Sequence, residues 1–171
     1  MPVAYSWIVD RPTLRSPTIA VPTGVMMVYD DRAVWGVRNQ GNADGKYVLF
    51  KKENRSFSPE DESLPDFRQL SPDEIDPCLW TSNLPARTTA MLKSGDHLFL
   101  AVAPVEIRPE DPHAAYEGRA GGSIWVLSEQ DGARVAQYQL DCPVVWDGMS
   151  AANGRLYLAT KAGQVLCFSQ R

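Results

Sequence analysis

The chain has no run of cations longer than the pair Lys51-Lys52, and its formal net charge is −4. A surface that grips nucleic acid through phosphates needs several clustered Lys or Arg side chains, so a nucleic-acid partner is disfavoured. No apolar stretch approaches the roughly 20 residues of a membrane-spanning helix. The opening Met-Pro-Val-Ala-Tyr-Ser-Trp-Ile-Val-Asp lacks both the basic start and the long apolar stretch of a signal peptide. Taken by itself the chain would stay in the cytoplasm; as a piece of a longer protein it would follow whatever signal lay upstream, export included.

Cysteine is scarce: Cys78, Cys142 and Cys167, an odd number without C-x-x-C spacing. That argues against a zinc site or a disulfide scaffold, and small packed thiols are the simpler reading. One Cys78–Cys142 bridge stays open, since each lies beside a proline near an equivalent strand. Histidine is limited to His97 and His113, thin material for a metal site or a Ser–His–Asp group. No segment sustains a 3.6-residue apolar period, which removes long amphipathic helices.

What is present is repetition. An aromatic residue stands five before a proline three times: Trp7 and Pro12, Trp80 and Pro85, Tyr138 and Pro143. Asp10, Asn83 or Asp141 follows each aromatic by three. After the second and third prolines, Met91 and Met149 take equivalent places, and Leu98-Phe-Leu-Ala superposes on Leu156-Tyr-Leu-Ala. The first copy carries Val34-Trp-Gly-Val there, displaced by about ten extra residues around 14–23. A glycine then opens a β-branched and aromatic run, at Gly45, Gly122 and Gly163.

These anchors predict twelve strands, near 5–9, 25–29, 33–38, 47–52, 79–82, 88–92, 97–103, 123–128, 133–140, 148–152, 155–160 and 164–169. They form three units of four, near 1–52, 79–128 and 133–169, within one domain spanning 1–171, a length that can bury a real core. The expected fold is all-β: a β-propeller-like array of about three four-stranded antiparallel blades, either a partial ring or one closed by oligomerisation. Insertions at 53–77 and 104–121 break the rhythm, each long enough to bind something or to move, and each able to hold a short helical turn. An arc of three blades would leave two inter-blade faces open. Two copies in head-to-tail contact would close a six-bladed ring, a homodimer. The C-terminal unit reads as three strands of a blade whose fourth is supplied by 5–9, of this chain or a neighbour.

Trp7, Trp80 and Tyr138 are read as docking residues that seat one blade on the next. Asp147-Gly-Met-Ser150 falls on an innermost strand whose small residues suit crowding at an axis. Asp147 and Ser150, with Arg87 and His113, are the candidate channel-mouth or binding residues. Gly148-Met-Ser-Ala-Ala lacks the second glycine of a nucleophile elbow. The acidic residues Glu60, Asp61, Glu62, Asp66, Asp73, Glu74 and Asp76 lack the alternation of a calcium loop and read as a solvated stretch.

The stretch from Ser123 to Tyr138, a strand, a turn ending at Asp131-Gly132 and a second strand, is similar to the repeat of PQQ-like (quinoprotein alcohol dehydrogenase-like) β-propellers. Ala136 stands where that repeat carries its docking tryptophan. Residues 143–168 resemble the C-terminal end of long bacterial proteins with such a propeller, and the resemblance is good over 79–168. It implies a propeller and, in some members, pyrroloquinoline quinone with calcium at the axis; those ligands are not placed here residue by residue, so no cofactor is expected beyond what the resemblance alone allows. The leading expectation is a non-catalytic segment that binds a protein partner or self-associates. The competing one is a quinoprotein-type oxidoreductase or a hydrolase, with its site built from Asp147 and the two long loops.

Overall fold

The computed structural model describes residues 24–39, 47–54, 77–104 and 109–169. Strands dominate: β1 (Met26–Tyr29), β2 (Ala33–Asn39), β3 (Tyr47–Glu53), β4 (Trp80–Leu84), β5 (Arg87–Ser94), β6 (His97–Ala103), β7 (Gly122–Ser128), β8 (Arg134–Leu140), β9 (Val144–Ala152), β10 (Arg155–Thr160) and β11 (Val165–Ser169). A single helical turn, α1 (Ala114–Glu117), sits between β6 and β7. Eleven of the twelve strand expectations correspond to these; the one over 5–9 lies outside the described residues. So does most of the 53–77 insertion, including the acidic stretch.

Among the described residues every strand pairing is antiparallel between chain neighbours, giving three sheets in the orders β1-β2-β3-β4, β5-β6-β7-β8 and β9-β10-β11. The first strands of successive sheets, β1, β5 and β9, lie against one another in series. Three open sheets that meet along their first strands are consistent with propeller-like blades.

The sheets are not cut where the sequence units are. Each sequence unit begins with its aromatic strand, yet β4 pairs with β3 and β8 with β7, so the aromatic strand closes the preceding sheet. A repeat can be phased from any anchor; hydrogen bonding decides which strands share a sheet. Pro85 and Pro143 mark the passage from the outer strand of one sheet to the inner strand of the next, where a missing N–H costs the ladder nothing.

Period-two alternation sends the middle sheet's side chains into two cores. Leu98, Leu100, Val102, Trp125 and Leu127 pack against Trp35, Val37 and Leu49 of the first sheet. On its other face, Ala90, Ala101 and Ile124 pack with Val144 and Leu158 of the third, and Phe99 joins them. A strand buried on both faces reads as a continuous apolar run, as Leu98-Phe-Leu-Ala-Val-Ala does.

The seam between the first two sheets carries a polar focus. The backbone carbonyl of Glu129, in the β7–β8 turn, accepts from Trp80 Nε1 at 3.2 Å, Lys51 Nζ at 3.1 Å and Trp35 Nε1 at 3.4 Å. Lys51 and Lys93 bring their ammonium groups to 5.1 and 5.0 Å from the Trp35 ring centroid, close enough for cation–π attraction. Lys93 also pairs with Asp30 and Glu129, each at 3.1 Å. Partial desolvation would lower the Lys93 pKa, but hydrogen bonds to Glu129 and Asp30 prevail and hold it above the ordinary lysine value. For Asp30 the desolvation that would raise its pKa is outweighed by the backbone N–H groups of Arg32 and Ala33 and by Lys93, so it lies below the usual carboxylate range.

The described part of the 104–121 insertion is folded onto the body. Lys161, in the β10–β11 turn, donates to the Tyr116 carbonyl at 2.7 Å, and Gly118 lies against Pro143 and Lys161. Arg119 holds Asp111 in a two-pronged ion pair and also reaches Glu117. The Arg119 guanidinium keeps the Asp111 carboxyl below its ordinary pKa. Cys142 and Cys167 carry free thiols, so the Cys78–Cys142 bridge is not made.

Candidate functional site

Two open outer faces follow from the repeat count, but the described residues show only one. On the first sheet the outward positions of β3 (Val48, Phe50 and Lys52) are buried. Phe50 lies over Gly36, whose added Cβ would sit 2.4 Å from the ring, with the Arg38 guanidinium 5.6 Å from the ring centroid. On the third sheet the outward side chains face solvent.

The ladder registers show which positions of the other sheets that face corresponds to. Val34 pairs with Lys52, Leu98 with Leu127, and Leu156 with Phe168. Aligning the sheets on these pairs places Trp35, Phe99 and Tyr157 in one structural position. Val37, Ala101 and Ala159 share a second, Leu49, Ile124 and Val165 a third, and Lys51, Val126 and Cys167 a fourth. In the first two sheets the third position is closed inside an inter-sheet core, with Leu49 at 0% and Ile124 at 2% exposure, while Val165 in the third sheet is 72% exposed. The open face therefore carries the residue pattern of a sheet-packing face.

Along β9 the face is shaped by a bulge. Val144 pairs with Thr160 and Met149 with Leu158, so residues 145–148 have only Ala159 opposite them. The equivalent place in β5 holds a smaller irregularity between Thr88 and Ala90. Bulges bend a strand and re-aim its side chains. Here Asp147 takes φ 56°, a left-handed conformation that a non-glycine residue adopts at a cost, and Trp146 is turned outward at 56% exposure. Gly148 is needed at the bend, because a Cβ there would lie 2.5 Å from Val145 Cγ2. The result is a shallow depression of about 230 Å³ lined by Asp147, Gly148, Ser150, Tyr157, Ala159 and Val165, among others.

Of the four candidate binding residues, Asp147 and Ser150 share this depression, Ser150 standing directly across from Tyr157. Arg87 and His113 do not line it. Arg87 opens β5 opposite Ala103, and His113 caps α1 on the exposed end of the β6–β7 connection. Trp80 and Tyr138 also part company. Trp80 is half-buried on the Glu129 carbonyl and over Gly132, at the seam between two sheets. Tyr138 is 52% exposed and meets the edge of the third sheet through Phe168, at 6.4 Å between ring centroids.

The register explains the difference. Trp80 pairs with Lys51, whose counterpart Val126 pairs with Ala136, so Ala136 and not Tyr138 holds the place of Trp80. Leu84 and Leu140 are likewise equivalent, opposite Tyr47 and Gly122. Asp141 and Cys142 are two extra residues before Pro143, and counting back from that proline misplaces the aromatic by two. Trp7 lies outside the described residues. Sequence reasoning missed Trp146, Tyr157 and Val165. For Tyr157 and Val165 the signal was available, because each occupies a core column of the repeat, but the column's burial comes from the next sheet. Trp146 is turned outward by the bulge, which no local pattern announces.

Among the described residues no three His, Cys, Asp or Glu side chains gather as metal ligands would. A calcium-bound quinone is held by a convergent set of oxygen donors, and the described residues bring no such carboxylate cluster together. No helix among them is long and apolar enough to cross a membrane. Compared with known proteins, the chain matches no protein-family model, and none of the curated proteins matches it significantly.

Proposed function

We propose that the chain is a non-catalytic binding or assembly module of propeller-like blades, of the PQQ-like kind its repeat resembles. Its working surface is the outward face of the third sheet. One observation carries this reading: positions closed between sheets in the first two repeats, such as Leu49 and Ile124, are open in the third as Val165 and its neighbours. An exposed apolar face of this kind is stabilised by covering it with a complementary surface. The partner is another protein, and a second copy is the occupant to test first. Among the described residues the first sheet offers no matching open face, so a second copy would meet the third sheet through its own third sheet. Such a contact is isologous and two-fold, and it differs from the head-to-tail closure of a six-bladed ring.

The test is the mass in solution across a concentration series, for the parent chain and for Val165→Glu. Val165 is exposed, so the charge leaves the folded chain intact, within about 0.5 kcal/mol in a urea titration. The expected result is a dimer for the parent chain and a monomer for the variant. A parent chain that stays monomeric at every concentration refutes the self-assembly reading.

A further inference from the structure

The outward face of the third sheet is nearly free of charge. Across β9, β10 and β11 only Asp147 and Arg155 are charged, and they have opposite signs. The registers set the face out in three rows. Ala152, Arg155 and Ser169 form one end row, and Ser150, Tyr157 and Cys167 the middle row. The bulge with Asp147, then Ala159 and Val165, forms the other end row. Arg155 and Ala159 are four residues apart on β10, roughly 13 Å, so the two charges stand at opposite ends of the face. Both are exposed, and neither has an ion-pair partner among the described residues. A contrast of size runs the same way. Trp146 projects beside Asp147, while Ala152 and Gly154 at the other end are small and exposed, and a Cβ on Gly154 meets no atom within 4 Å.

We propose that two copies pair through these faces with their strands antiparallel, the two-fold axis crossing the strands at the row of Ser150, Tyr157 and Cys167. This rests on the second-copy reading above and adds its geometry. A two-fold that turns one face onto its equal lies in the plane between them. An axis along the strands brings like ends together, so Asp147 and Arg155 stay as far apart between copies as within one. An axis across the strands exchanges the ends. Asp147 then lies over Ala152 of the second copy, one strand from its Arg155: a lateral offset of about 4.8 Å between sheets about 10 Å apart. Arg155 comes over Ala159, whose small side chain leaves the guanidinium room to reach the carboxylate. Symmetry makes the pair twice. Trp146 comes over the β9–β10 turn, where Gly154 leaves space for the indole.

The apolar and aromatic groups supply the attraction, and the charges select the orientation. Opposite charges at opposite ends favour the antiparallel arrangement, and like charges brought together disfavour others.

The experiment measures solution mass for the parent chain, for Asp147→Arg and Arg155→Asp separately, and for an equimolar mixture of the two variants. Alone, each variant sets like charges against one another twice, and its dimer should dissociate at least about tenfold more readily than the parent's. In the mixture each introduced arginine faces an introduced aspartate, and Arg155 of one variant faces Asp147 of the other. Mixed dimers should therefore form with near-parental affinity. Thiol linking reads the axis without touching either charge. In the full chain carrying Cys78→Ser and Cys142→Ser, a bis-maleimide spanning about 10 Å, the sheet separation, should join two copies through Cys167. Adding Cys167→Ser and Ser169→Cys moves the thiols roughly 13 Å apart along the strands, and linking should be lost. A dimeric parent whose two variants gain nothing on mixing overturns the arrangement and leaves the self-assembly reading standing. Equal linking through positions 167 and 169 does the same, because it places the axis along the strands. A parent chain that stays monomeric overturns both.

Discussion

Gly132→Ala tests the seam that joins the first two sheets. Gly132 has φ +71°, and a Cβ built on it would lie 2.7 Å from Trp80 Cζ3 and 3.0 Å from Cη2. The substitution therefore carries two separable costs. The left-handed backbone alone costs an alanine roughly 1–2 kcal/mol. Forcing a methyl group into the seated indole adds an overpacking cost of about 1–3 kcal/mol. Moving the ring also weakens the Nε1 bond to the Glu129 carbonyl, a net loss of about 1 kcal/mol or less, because Trp35 and Lys51 still reach that oxygen.

Gly154→Ala is the matched control: its φ is +69° and no atom lies within 4 Å of the added Cβ. Urea unfolding of both variants measures the difference, expected at about 1–3 kcal/mol from the overpacking cost. With a slope of about 2 kcal/mol per molar urea this separates the midpoints by about 0.5–1.5 M. Introducing Trp80→Leu should remove most of the excess, so the double-mutant cycle shows positive coupling. Equal losses for Gly132→Ala and Gly154→Ala would refute the docking argument.

Two further outcomes follow from the geometry. Asp147→Gly should raise stability by about 0.5–1 kcal/mol in the same titration, since it relieves a left-handed aspartate at the bulge; a loss would show that the Asp147 side chain holds the bend. The parent chain's advantage over Lys93→Met should be level across neutral pH. The Asp30 carboxyl is held below its ordinary value of 3.8, so its share is lost as pH falls through that lowered pKa. Lys93 is held above 10.5, so its share persists to that value and is lost as pH rises through the raised pKa. An advantage already lost near neutral pH would contradict the assignment.

The strand pattern was legible because it rests on short-range rules. Alternation, glycine-led turns and proline boundaries are local, and the eleven described strands lie where those rules put them. The strand that carries Asp147 and Ser150 was legible for the same reason: its run of small residues, bounded by turns, marks β9. Tyr138 was misplaced because spacing from a proline is not a hydrogen-bond register; Asp141 and Cys142 extend the link without altering the ladder. Arg87 and His113 were grouped with Asp147 as channel-mouth candidates; Arg87 opens β5 and His113 lies in the β6–β7 connection, and neither lines the depression on the third sheet.

An all-β chain of repeated antiparallel strands was already written in the order of the residues, because backbone preference and side-chain alternation act over a few positions. Which face of each sheet is covered was settled only when the sheets packed. Val165 and Ile124 are equivalent β-branched residues on equivalent strands, and nothing local distinguishes them. Ile124 is buried because a third sheet lies over it; Val165 is exposed because no sheet follows among the described residues. Burial at these positions is a property of the neighbouring sheet, and so is the surface that the third sheet presents.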